Sequence, residues 1–122
     1  MKNDESFSIF ARGKSFKYAF GGILNFFKAE HNAVLHLAGT VIAIFLAIAL
    51  HISTTGKIAL VFAVGFVWVA ELFNTAIEKI MDFISTEQHP KIKQVKDLSA
   101  AAVLIAAIVA FIIGCIVFIP KL

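Results

Sequence analysis

Three carboxylates interrupt the second of three long apolar stretches in the chain. Glu71, Glu78 and Asp82 lie within a few tens of degrees of one another on a helix that turns about 100° per residue. Asn74 and Thr75 flank them. A carboxylate in a membrane-spanning helix is costly and usually faces the bundle interior or a water-filled cavity for a functional reason. Hydrogen bonding between helices is the alternative; it would explain Thr75, fits Asn74 as well as function does, and explains three carboxylates poorly.

The spacing along this helix gives each acid a depth. Counted from Lys57 at the start of the segment, Glu71 lies about 20 Å along the helix, past the middle of a hydrocarbon core about 30 Å thick. Glu78 and Asp82 then lie at the far interface. Other polar residues belong to the same layer: Glu30, Glu87, His89, Lys96 and Asp97.

The chemistry of this layer favours a phosphorylated ligand. Mg²⁺ is usually held by one or two carboxylates together with substrate phosphates, and lysine side chains bind phosphate oxygens as point charges. Acidic and basic groups that converge at one membrane surface therefore indicate phosphate chemistry on a molecule that arrives from the bilayer.

Composition places the chain in a membrane. Its 122 residues are 60% hydrophobic and 16% charged, with a mean hydropathy of +0.90, whereas soluble domains are roughly 45–50% apolar and 25% charged. Disorder is excluded, and a lone Cys115 excludes a disulfide scaffold. The basic residues lie at the ends of the apolar segments, where they orient a membrane protein, so we expect no nucleic-acid partner despite a pI of about 9.2.

The elements that position the polar layer are all helical. Phenylalanines interleaved with basic residues predict an amphipathic helix in the membrane interface at about residues 6–28. Three transmembrane helices follow at about 32–51, 57–84 and 96–119. We therefore predict an all-α integral membrane protein with a single domain over residues 1–122.

The basic residues at the ends of the apolar segments predict how the chain is oriented in the membrane. One side carries most of the basic residues (Lys2, Arg12, Lys14, Lys17, Lys28, Lys91, Lys93 and Lys96), and the other has only Lys57 and Lys121. The positive-inside rule then places the N-terminus and the second loop in the cytoplasm and the C-terminus outside. On the third transmembrane segment a ridge of small residues favours close helix packing: Ala102, Ala106, Ala110 and Gly114.

Residues 71–82 (ELFNTAIEKIMD) closely resemble the signature of the small prokaryotic diacylglycerol kinase and undecaprenol kinase family. That signature has Glu, two apolar residues, Asn, Ser or Thr, Ala, an apolar residue, Glu, three variable residues and Asp. The likeness covers nearly the whole chain: KYAF at residues 17–20, Glu30, EQHP at 87–90 and KDLSAAAVL at 96–104.

The resemblance implies a homotrimer in the bacterial cytoplasmic membrane, with active sites shared between chains. It also implies transfer of the ATP γ-phosphoryl group to a lipid hydroxyl, with Mg²⁺ as cofactor. By position, Glu71 would be the general base, Asn74 would order the centre, and Glu30 and Glu78 would bind the metal. Nucleotide contacts would come from Tyr18, Glu87, Gln88, His89, Lys96 and Asp97 in addition to the metal ligands.

The acceptor lipid is less sharply indicated. The diacylglycerol-kinase branch has an acid six residues after the position of Glu30, whereas this chain has His36, as is usual in the undecaprenol-kinase branch. His36 fits either a polar packing contact or a contact with the substrate. Arg12, near the start of the surface helix, and Glu71 are the other candidate lipid contacts. Undecaprenol is favoured and diacylglycerol is the alternative.

A different class of function also fits an apolar bundle: a non-catalytic channel or assembly protein, whose Glu and Asn side chains only join helices. Glu30 and the Lys96-Asp97 pair discriminate against it, because an inert bundle has no need to collect acids and lysines at one interface. The sequence therefore favours a membrane lipid kinase.

Overall fold

A computed structural model describes residues 8–122, and its long elements are four α-helices. They are α1 (Ile9–Ala29), α2 (Asn32–Ala49), α3 (Thr54–Ile84) and α4 (Pro90–Phe118), followed by a short 3₁₀ turn at Ile119–Lys121. Three of them, α2, α3 and α4, are long and apolar enough to cross a membrane. The predicted all-α membrane fold is confirmed.

The chain divides into two compact units, Met1–Val34 and Leu35–Leu122. In the described part of the first unit, α1 begins after Ser8, whose hydroxyl accepts a hydrogen bond from the Ala11 N–H at 3.3 Å and so satisfies one free donor of the first turn. Phe26 is buried near its end, whereas Phe10 and Phe16 are exposed. The helix start predicted near residue 6 lies outside the described residues.

Within the second unit, α3 and α4 form a helical hairpin joined by residues 85–89. With 31 residues, α3 is about 46 Å long, which exceeds the hydrocarbon core of about 30 Å. Part of the helix therefore extends beyond the apolar layer, and its last turns hold the polar side chains of Glu78 and Asp82.

Helix α4 begins at Pro90, six residues before the predicted start of the third span. His89 Nδ1 accepts a hydrogen bond from the Lys91 N–H at 3.1 Å, and proline is well suited to the first helical position. This local cap starts the helix in the polar loop, whereas hydropathy reports only where the apolar part begins, near Leu98.

The turn from α2 to α3 is a Schellman motif at His51. The His51 N–H donates to the Ile48 carbonyl at 3.2 Å and the Ile52 N–H to the Ala47 carbonyl at 3.1 Å, which satisfies carbonyls at the helix end. His51 has a φ of 52°, a left-handed conformation in which histidine is enriched among non-glycine residues. At Gly56, in the first turn of α3, a Cβ would come within 2.6 Å of the Ile52 side chain, so any larger residue would force that side chain to shift.

A small apolar core lies beside this turn, at the end of the bundle away from the acidic residues. It consists of Ala47, Ile52 and Leu60, with Leu50, Ile113, Val117 and Phe118 packed against it. Most large apolar side chains of the described helices remain exposed in the single chain. In a membrane those surfaces contact lipid or another protein.

Candidate active site

Glu71 is the buried acid of the site. Its residue is 9% exposed, and its Oε1 lies 2.7 Å from His36 Nε2 on α2. A contact this short requires a proton between the two atoms, so the imidazole and the carboxyl group form a hydrogen-bonded pair. The sequence left open whether His36 packs or contacts substrate; the structure shows a polar packing contact, and its partner is the predicted base.

A second hydrogen bond joins α2 and α3 beside this pair. Trp68 Nε1 donates to Thr40 Oγ1 at 2.9 Å, and the Thr40 hydroxyl donates to the His36 carbonyl at 2.7 Å. The Trp68 ring centroid is 6.2 Å from that of His36. Because Thr40 and Trp68 lie about one helical turn from His36 and Glu71, the acid and its partner are fixed between two helices.

Asn74 is oriented by the third helix of the unit. Ser99, buried on α4, donates from its hydroxyl to Asn74 Oδ1 at 2.6 Å. Asn74 lies one turn of α3 beyond Glu71, and its NH₂ group is a donor separate from the oxygen that Ser99 engages. The role of Asn74 in ordering the centre stays a prediction.

The three acids of α3 have different surroundings. Glu71 is buried, Glu78 is half-buried and Asp82 is exposed. Asp82 Oδ1 accepts a hydrogen bond from Lys96 Nζ at 2.7 Å across the α3–α4 hairpin. The stripe predicted from the sequence is therefore one row of acids with three distinct electrostatic environments.

An open polar cleft of about 600 Å³ lies at the α3–α4 loop. Five predicted nucleotide contacts line it together with Lys93, whose Nζ is 2.6 Å from Asp97 Oδ2. The five are Glu87, Gln88, His89, Lys96 and Asp97. The structure thus brings together all of the predicted nucleotide contacts that come from the loop and the start of α4.

An apolar groove of about 580 Å³ runs between α2 and α3. Thr40 and Trp68 line one end, next to the His36–Glu71 pair, and Lys57 lines the other. Small residues form part of its walls, including Ala43 and Gly65. From Trp68 to Lys57 the groove follows α3 for about 16 Å.

Three predicted site residues lie in the first unit. Arg12 and Tyr18 are exposed on α1, and Glu30 is half-buried at the C-cap of that helix. The Glu30 N–H donates to the Phe26 carbonyl at 3.0 Å. Their roles stay predictions.

Within residues 8–122, no group of three or more His, Cys, Asp or Glu side chains is placed to hold a metal ion. Mg²⁺ does not require such a set, because one or two carboxylates commonly bind it together with substrate phosphates and water. The half-buried carboxylate of Glu78, two helical turns from Glu71, fits that donor chemistry.

Two features of the site escaped the sequence analysis. Ser99 was not singled out as the partner of Asn74, and Thr40 and Trp68 were not expected to bond to each other. The four-residue spacing of His36 and Thr40 shows that they share a face of α2. Nothing in the sequence states which residue of α3 that face meets.

Comparison with known proteins decides the family. The family described as "Prokaryotic diacylglycerol kinase" matches residues 17–118 of this chain. The chain belongs to the prokaryotic diacylglycerol kinase family. It is therefore an ATP-dependent membrane lipid kinase, as predicted, and the alternative of a non-catalytic channel or assembly protein is set aside.

Individual relatives carry two different names. The chain is 34% identical over 109 residues to "Undecaprenol kinase" of Bacillus subtilis (strain 168), covering 89% of each protein. It is 35% identical to "Diacylglycerol kinase" of Synechocystis sp., covering 88% of this chain and 62% of that one. It is 38% identical over 90 residues to "Diacylglycerol kinase" of Escherichia coli (strain K12), covering 74% and 69% respectively.

Proposed function

We propose that this lipid kinase phosphorylates undecaprenol, with Glu71 as the group that accepts the proton of the lipid hydroxyl. The observation that carries the role of Glu71 is its burial in a hydrogen-bonded pair with His36, at 2.7 Å, in an otherwise apolar part of the helix. A buried carboxylate there needs a functional reason. Proton acceptance from a membrane-borne alcohol supplies one.

The transfer step balances as follows. The acceptor O–H bond breaks and its proton moves to Glu71, while the hydroxyl oxygen forms a bond to the γ-phosphorus of ATP. The bond from that phosphorus to the β–γ bridging oxygen breaks, and its electron pair stays on ADP. Such reactions depend mainly on positioning and on neutralisation of charge.

We assign the polar cleft at the α3–α4 loop to the nucleotide. Its lysines, Lys93 and Lys96, are each paired with a carboxylate, so phosphate oxygens would replace those acids as partners. Surface ion pairs of this kind are worth only about 0–1 kcal/mol, which makes the exchange inexpensive. Tyr18 is assigned to the same nucleotide on the basis of the family resemblance.

Glu78 and Glu30 are assigned to Mg²⁺. Support for Glu78 comes from its half-buried carboxylate in the polar last turns of α3; support for Glu30 comes from the family resemblance. Bound with ATP, Mg²⁺ would neutralise charge on the phosphate oxygens. Asn74, oriented by Ser99, would donate from its NH₂ group to an oxygen in the centre.

Two observations favour undecaprenol as the acceptor. Position 36 holds His36 in place of the acid of the diacylglycerol-kinase branch, and the B. subtilis relative bears the name undecaprenol kinase. The apolar groove beside Trp68 would receive the chain of the lipid, whose hydroxyl then lies near Glu71. Diacylglycerol, with its small uncharged headgroup, is the second candidate, and two other relatives bear its name.

The test is a comparison of kcat/KM for undecaprenol and diacylglycerol in the same detergent micelles at saturating Mg-ATP. We expect a clear preference for undecaprenol. A preference for diacylglycerol would refute the proposed acceptor while leaving the assignment of Glu71 intact. A His36→Glu variant with an unchanged ratio would show that position 36 does not set the preference.

We also propose that the enzyme is a homotrimer in the bacterial inner membrane, with its active site on the cytoplasmic side and its C-terminus outside. Support for the orientation is the excess of lysines at the N-terminal part and the α3–α4 loop. A reporter enzyme that is active only in the periplasm should be active when it is fused after Leu122. Activity of a cytoplasmic reporter at that position would show that the C-terminus lies inside and would contradict the proposed orientation.

A further inference from the structure

We propose that His36 is a positioning residue: it holds one oxygen of Glu71 so that the other faces the acceptor hydroxyl. This inference rests on the proposed role of Glu71 as proton acceptor. It does not depend on which lipid supplies the hydroxyl.

The geometry restricts the carboxyl group to one orientation. His36 Nε2 is 2.7 Å from Glu71 Oε1, and the two side chains are 27% and 11% exposed. In this low-dielectric setting a hydrogen bond to a carboxylate is stronger than in water. A carboxylate that takes a proton from substrate can only accept the bond to His36, so in this role the hydrogen lies on Nε2. Oε2 is then the atom that we assign to the hydroxyl proton.

His36 is itself fixed by its neighbours. The Thr40 hydroxyl donates to the His36 carbonyl at 2.7 Å, and Trp68 Nε1 donates to that hydroxyl at 2.9 Å. Trp68 also sets its ring 6.2 Å from the imidazole. These contacts join α2 and α3 one turn from Glu71, so the backbone that carries the imidazole is held against α3 before a substrate binds.

During transfer the Glu71 Oε2 atom takes the proton of the hydroxyl, and the Oε1 atom keeps its hydrogen bond to His36. The imidazole neither gains nor loses a proton in this step. Its contribution is to keep the accepting oxygen in line with the hydroxyl, and misplacement of a reacting group by about 1 Å can cost about 100-fold in rate.

Three substitutions at one position separate positioning from packing. In His36→Gln the amide nitrogen reaches about as far from the backbone as imidazole Nε2 and can still donate to Glu71. In His36→Asn the amide is one carbon shorter, and His36→Leu has no donor. We expect Leu and Asn to lower kcat about 10- to 100-fold, with the KM for Mg-ATP changed less than about twofold, and Gln to recover most of the loss.

Ile52→Ala is the control for lost packing. Ile52 is buried in the small apolar core beside the α2–α3 turn, at the opposite end of α2 from His36. Truncation of a buried isoleucine to alanine costs about 2–5 kcal/mol, so this variant should lower thermal stability at least as much as His36→Leu does. Its kcat should stay within about twofold of the native value.

A double substitution provides the decisive readout, measured with whichever lipid the native enzyme prefers. In a Glu71→Asp background the shorter side chain no longer reaches His36, so adding His36→Leu should cost less than about twofold in kcat. If His36 only stabilised the fold, His36→Leu would lower kcat by the same factor in the Glu71→Asp background as in the native enzyme. Equal kcat for His36→Gln, His36→Asn and the native enzyme would also overturn the proposal, whereas a native enzyme inactive on both lipids would refute the proposed function instead.

Discussion

At the scale of single residues, the three acids on one face of α3 differ in partner and in burial. Glu71 is bonded to a histidine, Asp82 to a lysine, and Glu78 is half-buried between them along α3. A buried carboxylate paired with imidazole is suited to accept a proton, whereas one near the interface is suited to bind a cation together with phosphates.

This difference predicts a split between two isosteric variants. Glu78→Gln should weaken binding of Mg-ATP by about 10-fold or more, because it removes a charged ligand of the metal. Glu71→Gln should leave the affinity for Mg-ATP within about threefold of the native value. Glu71 does not line the nucleotide cleft, and glutamine has the same size as glutamate. Calorimetric titration of each variant in micelles with a non-hydrolysable Mg-ATP analogue measures both effects, and equal losses of affinity would contradict the division of roles.

Residue types and spacing were sufficient to predict the acids of the site but not their partners. The 3.6-residue period places Glu71, Asn74 and Glu78 on one face of α3 whatever else the chain does. The contacts of Glu71 with His36 and of Asn74 with Ser99 depend on how α2 and α4 are rotated and shifted against α3. Rotation and shift follow from side-chain packing, which a single sequence does not specify.

At the scale of elements, hydropathy predicts the helix boundaries that lie in apolar segments but not the boundary that local capping sets. The spans of α2 and α3 follow from hydropathy, since a run of apolar residues has few alternatives in a membrane. The start of α4 does not, because His89 and Pro90 set it through local capping in the polar loop. That extra turn and a half of helix presents Lys93 to the cleft, which Lys96 lines from the next turn.

The groove between α2 and α3 yields a prediction about the lipid. Gly65 lines the groove, and apart from its own helix backbone no atom lies within 4 Å of where a Cβ would be. An added side chain at this position should therefore compete with the lipid chain. We expect Gly65→Leu to raise the KM for the lipid about 10-fold, with the KM for Mg-ATP unchanged, because a leucine side chain fills space that an apolar chain would occupy.

Gly39→Leu serves as its control. Gly39 is an exposed position on α2 with equally open surroundings, and it does not line the groove. Both substitutions remove a helix glycine and add the same apolar surface. Equal changes in lipid KM for the two variants would show that the groove does not hold the substrate chain.

At the scale of the whole molecule, the exposed apolar surfaces and the small-residue ridge of α4 favour assembly. Ala106 is fully buried within the chain, whereas Ala102 is exposed and Gly114 half-buried, so part of the ridge is available to a neighbouring helix. We propose that the complete site combines residues of adjacent chains.

Mixing two inactive chains tests this arrangement. Glu71→Gln and Glu78→Gln subunits, combined in verified mixed trimers, should recover a measurable fraction of native turnover, because some sites then draw both intact carboxylates from different chains. Homotrimers of each variant provide the baseline. Mixed trimers that stay at that baseline would show that each site takes both acids from one subunit.

We propose that Glu71 is the proton acceptor when this chain moves a phosphoryl group from ATP to a lipid hydroxyl. The most direct measurement follows label from [γ-³²P]ATP into extracted lipid, using purified native protein and the Glu71→Gln variant at equal nucleotide occupancy. The native protein should form labelled undecaprenyl phosphate, and the variant should lose at least about 100-fold in rate. Labelled lipid formed at similar rates by both proteins would contradict the role of Glu71 as proton acceptor.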